Sequence, residues 1–428
     1  MTTSETEAVS SVAAPPAATG FAPYLVTHAA WFLAFGIQGV LFPYLLRVVL
    51  EADEIHFGLA QMASSLPTTL LILIGGLTAD RIDTRKAVIG FCAFTILIFA
   101  VLGTLVATGA LSYPLMIGYA LTVGTMGAFM GPARDSLLSR VAPQEGGIQR
   151  AVALANMAQF GAQLVGMGIA TLTPVLGVPL ILFGQAGVMA IAAASGLRIR
   201  PRPAEPRATG PDDDAAHLLI RLGRDLVAGF RAAAGSPVIG PVLLLATGMG
   251  VFFTGAFVVL LPLTVQTYFA GAADKTAFAS GLGAFSLCFW GGTMLSAVVL
   301  VRVGAALRKK GLAFLLALTS GSLLLFACAI PMPLWSLCAV NFLWGLGGGV
   351  AMTLSRGLVQ EYAPADKRAR VLSIFSLGMM GGAPVGAVFY GVLAHAIGPR
   401  LSILVPAAGM LAVTAAVAAF SRLRHLED

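Results

Sequence analysis

The amino-acid sequence predicts an all-α membrane protein in which twelve transmembrane helices form two pseudo-symmetric six-helix bundles. The 428 residues are 58% hydrophobic and only 11% charged, whereas roughly 25% of the residues of a soluble domain are charged. Twelve apolar runs are each long enough to cross the hydrocarbon core of a bilayer, which takes about 20 helical residues. Several residues also recur at a nearly constant spacing, which indicates a duplicated six-helix unit.

The elements follow in a simple order. Residues 1–22 are rich in Ala, Ser, Thr and Pro and contain no Lys or Arg, so they lack the basic region of a secretory signal peptide and are interpreted as a disordered cytoplasmic tail. The predicted helices cover residues 23–47, 57–79, 87–108, 113–133, 148–172, 176–197, 238–268, 277–301, 311–331, 333–354, 371–395 and 399–420. Residues 23–197 therefore form the first bundle, 238–420 the second, and 421–428 a cytoplasmic tail.

The linker between the bundles, residues 198–237, opens with a polar stretch and continues with an amphipathic pattern. Its apolar side chains recur every four residues, at Leu218, Leu222, Leu226 and Phe230. This spacing places them on one helical face, which is typical of a helix that lies on the membrane surface. The linker is expected to be cytoplasmic and to contain such a helix.

The distribution of positive charge supports this arrangement independently of hydropathy. If the first helix leaves the cytoplasm, 23 of the 26 Lys and Arg residues fall in inner segments. Only Arg47, Lys275 and Arg400 fall outside. Because Lys and Arg accumulate on the cytoplasmic side of membrane proteins, both termini are expected in the cytoplasm.

Four pairs of sequence features mark the internal repeat. They are Arg81 with Arg302 and Pro143 with Pro364, both 221 positions apart, Arg134 with Arg356, 222 apart, and FPYLL from Phe42 with LPLTV from Leu261, 219 apart. Such a stable offset predicts that corresponding helices of the two bundles occupy equivalent places.

The run GGLTADRIDTRK, Gly75–Lys86, is a charged loop between the second and third helices. It resembles the corresponding loop of the major facilitator superfamily, G-x-x-x-D-R-x-G-R-[KR], through Gly76, Asp80, Arg81 and Arg85. Asp83 replaces the usual Gly, and Thr84 replaces the usual base. With an Asp at this position, the loop is more similar to that of the exporters that include the enterobactin exporter and macrolide-efflux pumps. The four matching residues are candidates for gating, and a topology signal is the alternative.

The end of the fourth helix, GAFMGPARDSLLSRVAP from Gly127 to Pro143, is similar to a segment of the same exporter branch. Arg134 and Asp135 lie near the inner end of this helix. One interpretation is an arginine that extends to the interface beside a local partner. The other is a cytoplasmic gate between the halves, in which Arg356 is the counterpart of Arg134 in the second bundle.

Candidate substrate-binding residues are polar or aromatic side chains within the apolar runs. Asn156, Gln159 and Gln163 share one face of the fifth helix. They can either bond neighbouring helices or face a wet cavity. The other candidates are Gln38, Gln61, Thr254, Trp290 and Asn341, and helix packing is the alternative role for each of them. The superfamily resemblance implies a cavity lined by helices 1, 4, 7 and 10, which favours Gln38, Thr254 and Asn341.

The sequence places none of its 19 acidic residues near the centre of a helix, although a proton carrier is usually an intramembrane carboxylate or histidine. The candidates for proton coupling are therefore His28 in the first helix, Asp53 and Glu54 in the first outer loop, and Asp135. Asp53 can alternatively cap the second helix. Proton antiport and facilitated diffusion both remain open.

No catalytic motif is present, and the four cysteines show neither metal-site nor disulfide spacing. We therefore expect that the protein is not an enzyme and that it binds no cofactor, metal or nucleic acid. The resemblance implies a monomeric secondary transporter of the bacterial cytoplasmic (inner) membrane that exports a small amphipathic molecule, drug-like or siderophore-like, by alternating access. A lipid or lysophospholipid translocator of the same fold and a non-transporting scaffold or sensor are the alternatives.

Overall fold

The computed structural model describes residues 20–79, 82–143, 147–203, 224, 227, 230, 231, 233, 235–270, 275–303, 307, 309–364 and 368–426. Within them, twelve helices are long and apolar enough to cross a membrane, which confirms the predicted fold class. Their bounds are α1 Phe21–Val49, α2 Glu54–Ala79, α3 Thr84–Ala107, α4 Tyr113–Val141, α5 Gly147–Ala170, α6 Val178–Gly196, α7 Ile239–Phe269, α8 Lys275–Val303, α9 Lys310–Cys328, α10 Leu334–Tyr362, α11 Arg368–Ile397 and α12 Pro399–Phe420.

Two corresponding helices, α4 and α10, are longer than the sequence predicts. Each continues about two turns beyond its apolar run and stops at an Ala-Pro pair. Ala142 and Ala363, which precede the repeat-related Pro143 and Pro364, adopt ψ angles of 133° and 130°. Because proline disfavours the α conformation of the residue before it, the pair ends the helix where hydropathy gives no signal.

Glycines allow the helices of the first half to pack closely. A Cβ atom at Gly36 or Gly166 would collide with backbone atoms of the facing helix in the α1–α5 pair, and one at Gly75 or Gly124 would do so in the α2–α4 pair. Without a hydrophobic driving force between helices in lipid, such close backbone approach is what holds membrane helices together.

The last turns of α1 and α7 are both π-helical, over Leu45–Val49 and Gln266–Ala270. Each follows a proline, Pro43 or Pro262, at equivalent positions of the repeat. Two further π-helical segments, Met249–Thr254 and Ala256–Leu260, interrupt the middle of α7. Segments of this kind often occur at functional sites.

We call the end of the molecule where α6 ends and α7 begins the linker end, and the opposite end, where α1 ends and α2 begins, the far end. In the linker itself Phe230 is exposed, whereas Leu218, Leu222 and Leu226 lie outside the described residues. Asp80 and Arg81 of the first loop and residues 1–19 of the predicted tail also lie outside them.

Candidate functional site

At the far end, the side chain of Arg47 bonds to both halves of the molecule. Its guanidinium donates hydrogen bonds to the side-chain oxygen of Gln266 on α7 and to the carbonyl oxygen of Ala52. It also forms an ion pair with Glu54 at 3.2 Å. Gln266 follows Arg47 by 219 positions, which is the offset of the repeat, so corresponding residues of the two halves meet here.

Glu54 extends this network to α11. While one of its carboxylate oxygens contacts Arg47, the other lies 3.4 Å from Nδ1 of His395. A single carboxylate thus lies between a fixed cation of the first half and a titratable ring of the second half. Among the candidates for proton coupling in the first outer loop, Glu54 is the one that the structure places between the halves.

Asp53 instead caps α2. Its Oδ1 accepts hydrogen bonds from the backbone N–H and from ring Nδ1 of His56, both at 2.7 Å. Partial burial acts to raise the pKa of Asp53, but the bonds from His56 outweigh it and hold this pKa below its usual value. Asp53 therefore stays ionised at neutral pH, which supports the capping interpretation.

The α2 and α11 helices contact each other closely from the far end inward. A Cβ atom on Gly58 would lie 2.6 Å from the carbonyl oxygen of Ala387, and one on Gly391 would lie 2.8 Å from that of Glu54. Nearer the centre, Thr69 donates a hydrogen bond of 3.1 Å to the carbonyl oxygen of Met380. This seam holds the two halves together along one side.

Gln61, a predicted substrate-binding residue, also joins the halves. Its Nε2 donates a hydrogen bond of 2.8 Å to the carbonyl oxygen of Val258, which lies in a π-helical segment of α7. The bond joins α2 of the first half to the irregular part of α7 in the second half.

On the opposite side, α5 of the first half packs against α8 of the second. A Cβ atom on Gly283 would collide with the side chain of Thr171, and the rings of Phe160 and Trp290 lie 6.5 Å apart. Trp290 is half-buried and continues into a cluster of rings from α7, α8 and α10. The members of this aromatic cluster are Phe253, Phe257, Phe285, Phe289, Trp290 and Trp344.

Two predicted substrate-binding amides are engaged in packing. Gln38 donates a hydrogen bond of 3.0 Å to the side chain of Gln185 on α6. Asn341 is fully buried and donates one of 2.8 Å to the carbonyl oxygen of Leu337 in its own helix. These bonds support the packing alternative at both positions.

The three amides of α5 differ in their surroundings although they share a face. Gln163 is 2% exposed and its Nε2 bonds no protein atom, Gln159 is half-buried and Asn156 is exposed. Thr254, in the irregular part of α7, donates a long hydrogen bond of 3.4 Å to the carbonyl oxygen of Met249. The wet-cavity prediction for α5 stays a prediction.

At the linker end, Arg134 on α4 is surrounded by aromatic rings of α1. Its guanidinium carbon lies 4.5 Å from the ring centre of Phe32 and 5.7 Å from that of Trp31. Tyr24 donates a hydrogen bond of 3.3 Å to the carbonyl oxygen of Arg134, and its oxygen lies 3.3 Å from Nδ1 of His28. His28, a candidate for proton coupling, is thus buried beside a fixed cation.

The next residue on α4, Asp135, is exposed and interacts electrostatically with Arg134 and with the exposed Arg356 on α10. This is the pair of repeat-related arginines that the sequence suggests for a gate. Where both partners are described, the hydrogen bonds between the halves lie at the far end or near the centre of the molecule.

In the described part of the first loop, Arg85 and Asp83 form their hydrogen bonds within the first half. Arg85 donates a hydrogen bond of 2.6 Å to the carbonyl oxygen of Leu197 at the end of α6, and Asp83 caps α3 by accepting from the backbone N–H of Arg85 and Lys86. A Cβ atom on Gly76 would meet nothing within 4 Å, so Gly75 is the glycine of this loop that allows close helix approach.

Sequence reasoning missed several residues of these contacts, and three of them show which signals were available. Gln266 was detectable, since the repeat offset pairs it with Arg47. Tyr24 shares a helical face with His28 at a spacing of four residues, which is a visible pattern. His395 carried no signal, because nothing in the sequence shows that α2 and α11 adjoin.

The described residues contain no group of three or more His, Cys, Asp or Glu side chains that could hold a metal ion. What the arrangement offers is a set of hydrogen bonds and ion pairs between two helical halves, half-buried aromatic rings where the halves meet, and one enclosed guanidinium. These features suit the binding of an amphipathic molecule and the movement of one half against the other.

The sequence profile of the transmembrane secretion effectors matches residues 18–428. The glucose facilitated diffusion protein of Zymomonas mobilis is 36% identical over 107 residues, which are 24% of this chain and 20% of that protein. The chain therefore aligns with about one fifth of the length of that curated relative.

Solved transporter structures share the fold at low sequence identity. The peptide transporter POT has a TM-score of 0.72 and 15% identity, with 95% of each chain covered. The nucleoside transporter NupG has a TM-score of 0.69 and 15% identity, over 93% of this chain and 98% of its own. A bacterial homolog of the human lysosomal transporter Spinster has a TM-score of 0.64 and 13% identity, with 95% of each chain covered.

Proposed function

The chain belongs to the transmembrane secretion effector family of major facilitator transporters, and we propose that it exports a small amphipathic organic molecule by alternating access. The observation that carries this proposal is the aromatic cluster, whose half-buried rings Phe257, Phe289 and Trp290 reach Phe160 of the first half through Trp290. Largely apolar pockets with a few polar groups are typical of sites for drug-sized ligands. The family's association with secretion supports the outward direction.

Alternating access requires the halves to rock about a central site. The far-end contacts of Arg47, Glu54 and Gly58 would hold one side closed, while the linker end carries the charges of Asp135 and Arg356. In this proposal the linker end faces the cytoplasm, as the distribution of Lys and Arg indicates. The bound compound would enter from the linker end and leave when the far-end contacts break.

Proton antiport is the proposed source of energy, through Glu54 or Asp135. Glu54 lies between Arg47 and His395, so protonation of its carboxylate would weaken a contact between the halves. The charged or titratable residues that also lie near this end are Glu51, Asp53, His56, Tyr113, Tyr268 and Arg400. A carboxylate whose contacts change between two states can couple proton uptake to the transition. Facilitated diffusion is the alternative that the test must distinguish.

Transport can be tested in proteoliposomes with a panel of fluorescent amphipathic compounds. We expect an imposed pH gradient to drive accumulation of at least one compound, and Glu54→Gln or Asp135→Asn to abolish accumulation while exchange continues. Equilibration without accumulation at any gradient would exclude the coupling. Movement of a fluorescent phospholipid between leaflets, without flux of any soluble compound, would instead identify a lipid translocator.

Orientation has a separate test that uses single cysteines at positions 210 and 271. In whole cells, an impermeant thiol reagent should label position 271 and spare position 210. The reverse pattern would place the linker outside and would contradict the proposed direction of the cycle.

A further inference from the structure

Arg134 is a buried cation without a hydrogen-bonding partner for most of its guanidinium. Its residue is 8% exposed, and among the described residues no carboxylate forms an ion pair with it. Its Nε and Nη1 atoms make no hydrogen bond with the protein. Arginine remains protonated inside proteins, so a full positive charge lies here with unused donors.

The aromatic rings beside Arg134 compensate only part of its charge. Cation–π contacts such as those with Phe32 and Trp31 stabilise a guanidinium electrostatically, but a ring face does not replace the oxygen acceptors that N–H groups need. Asp135 interacts with Arg134 at longer range, and its carboxylate forms no ion pair with it. A buried donor set of this kind is costly unless an acceptor is supplied.

The packing of α1 shows where Arg134 lies. Two of the three faces of α1 contact other helices of the first half. Leu33 and Gly36 pack on the backbone of α5. Thr27, Ala34 and Gln38 bond to α6. The third face carries Tyr24, His28, Phe32, Phe35 and Gly39.

This third face contacts α4 at two places, and an aromatic ring between them is exposed. Phe32 contacts Arg134 near the linker end, and the ring of Phe42 stacks on that of Tyr119 near the far end, with centroids 6.2 Å apart. Between them, Phe35 is 54% exposed. The unused donors of Arg134 therefore lie about one turn of helix from an accessible aromatic ring.

We propose that Arg134 binds the carboxylate or phosphate group of the transported compound, whose apolar body lies on Phe32 and Phe35. A guanidinium matches both groups, because it can donate two parallel hydrogen bonds to a pair of oxygens. The inference rests on the proposed transport function and narrows its substrate class to organic anions. It also gives the candidate cavity a fixed charge, in addition to the amides and aromatic rings that the sequence suggested.

The test compares two probes that differ in charge and hardly in shape, 2-naphthoate and 2-naphthamide. Equilibrium dialysis against protein in phosphatidylcholine nanodiscs measures both affinities. We expect wild type to bind 2-naphthoate at least about ten-fold more tightly than the amide, as for hydrogen bonds to a charged group. Arg134→Gln should bring this ratio close to one.

Three variants make the comparison specific. Arg150→Gln removes a positive charge from an exposed residue at the same end of the molecule and should leave the ratio unchanged. Phe35→Ala should weaken both probes alike, because it removes contact with the apolar body. Arg134→Lys keeps the charge without the two-pronged donor geometry and should retain an intermediate ratio.

Two results would overturn the proposal. The first is a wild type that binds both probes equally, which decides the matter even if Arg134→Gln does not fold. The second is a preference that disappears when phosphatidylglycerol is added to the nanodiscs, since the guanidinium would then bind a lipid phosphate. Wild type that prefers 2-naphthoate but carries no compound in proteoliposomes would refute export and leave the anion site standing.

Discussion

Replacing Gly58 by alanine tests whether the α2–α11 seam keeps the far end closed. The added Cβ would lie 2.6 Å from the carbonyl oxygen of Ala387 and 3.0 Å from the Cα of Gly391. Both are backbone atoms, so no side-chain rotation can relieve the collision. Since ordinary contact begins at 3.4 Å, the helices must separate by about 0.8 Å at this point.

The size of the effect follows from this overlap. Inserting a methyl group into a closely packed interface costs about 1–3 kcal/mol, and each 1.4 kcal/mol changes an equilibrium constant ten-fold. The state with a closed far end should therefore become about five-fold to more than a hundred-fold less populated, relative to a state in which α2 and α11 have parted. The helix propensity gained by alanine cancels, because residue 58 is helical in both states.

Double electron–electron resonance measures the change directly. Spin labels at positions 110 and 335 report the distance between the α3–α4 and α9–α10 turns across the far end, in a background with the four native cysteines replaced. We expect Gly58→Ala to add a population at longer distance. Gly90→Ala is the matched control, since a Cβ atom there meets nothing within 4 Å. Unchanged distances in folded Gly58→Ala protein would refute a role of the seam in closure.

Three further predictions concern single residues. Asp53→Ala should speed hydrogen exchange in the first turn of α2. Because the pKa of Asp53 is depressed in the folded protein, the difference from wild type should begin to shrink as the pH falls below about 4 and should vanish below the depressed pKa. Trp290→Ala should weaken binding of aromatic compounds about ten-fold, measured by dialysis, with little effect on aliphatic ones. Glu54→Gln should lengthen the same far-end distance at pH 7, because it removes the carboxylate that forms the ion pair with Arg47.

Each of these predictions has a contradicting result. If hydrogen exchange in α2 of the Asp53→Ala protein differs from wild type equally at pH 3 and pH 7, the ionisation of Asp53 does not contribute to the cap. Equal losses for aromatic and aliphatic compounds would make Trp290 a packing residue. A Glu54→Gln protein with wild-type distances at every pH would show that its carboxylate does not hold the halves together.

The number and order of the helices could be predicted because the bilayer imposes a minimum apolar length. The ends of α4 and α10 could not be predicted from hydropathy, since both helices continue into polar sequence. The Ala-Pro pairs at Pro143 and Pro364 did contain that information. Backbone chemistry, rather than the apolar pattern, sets these boundaries.

The candidate site was harder to predict, because its contacts depend on which helices adjoin. The sequence places Asn156 and Gln163 on one face of α5, but it does not show that Asn156 is exposed while Gln163 is buried. The contact between Glu54 and His395 joins residues 341 positions apart, and it exists only because α2 crosses the molecule beside α11. Periodicity along one helix contains no information about such neighbours.

The contact between Arg47 and Gln266 also shows that the two halves cannot be identical at this position. A residue on the symmetry axis of two identical halves meets its own copy. Two glutamines can satisfy one another there, since an amide both donates and accepts, whereas two arginines would bring like charges together. An arginine at this position therefore requires that the halves differ here.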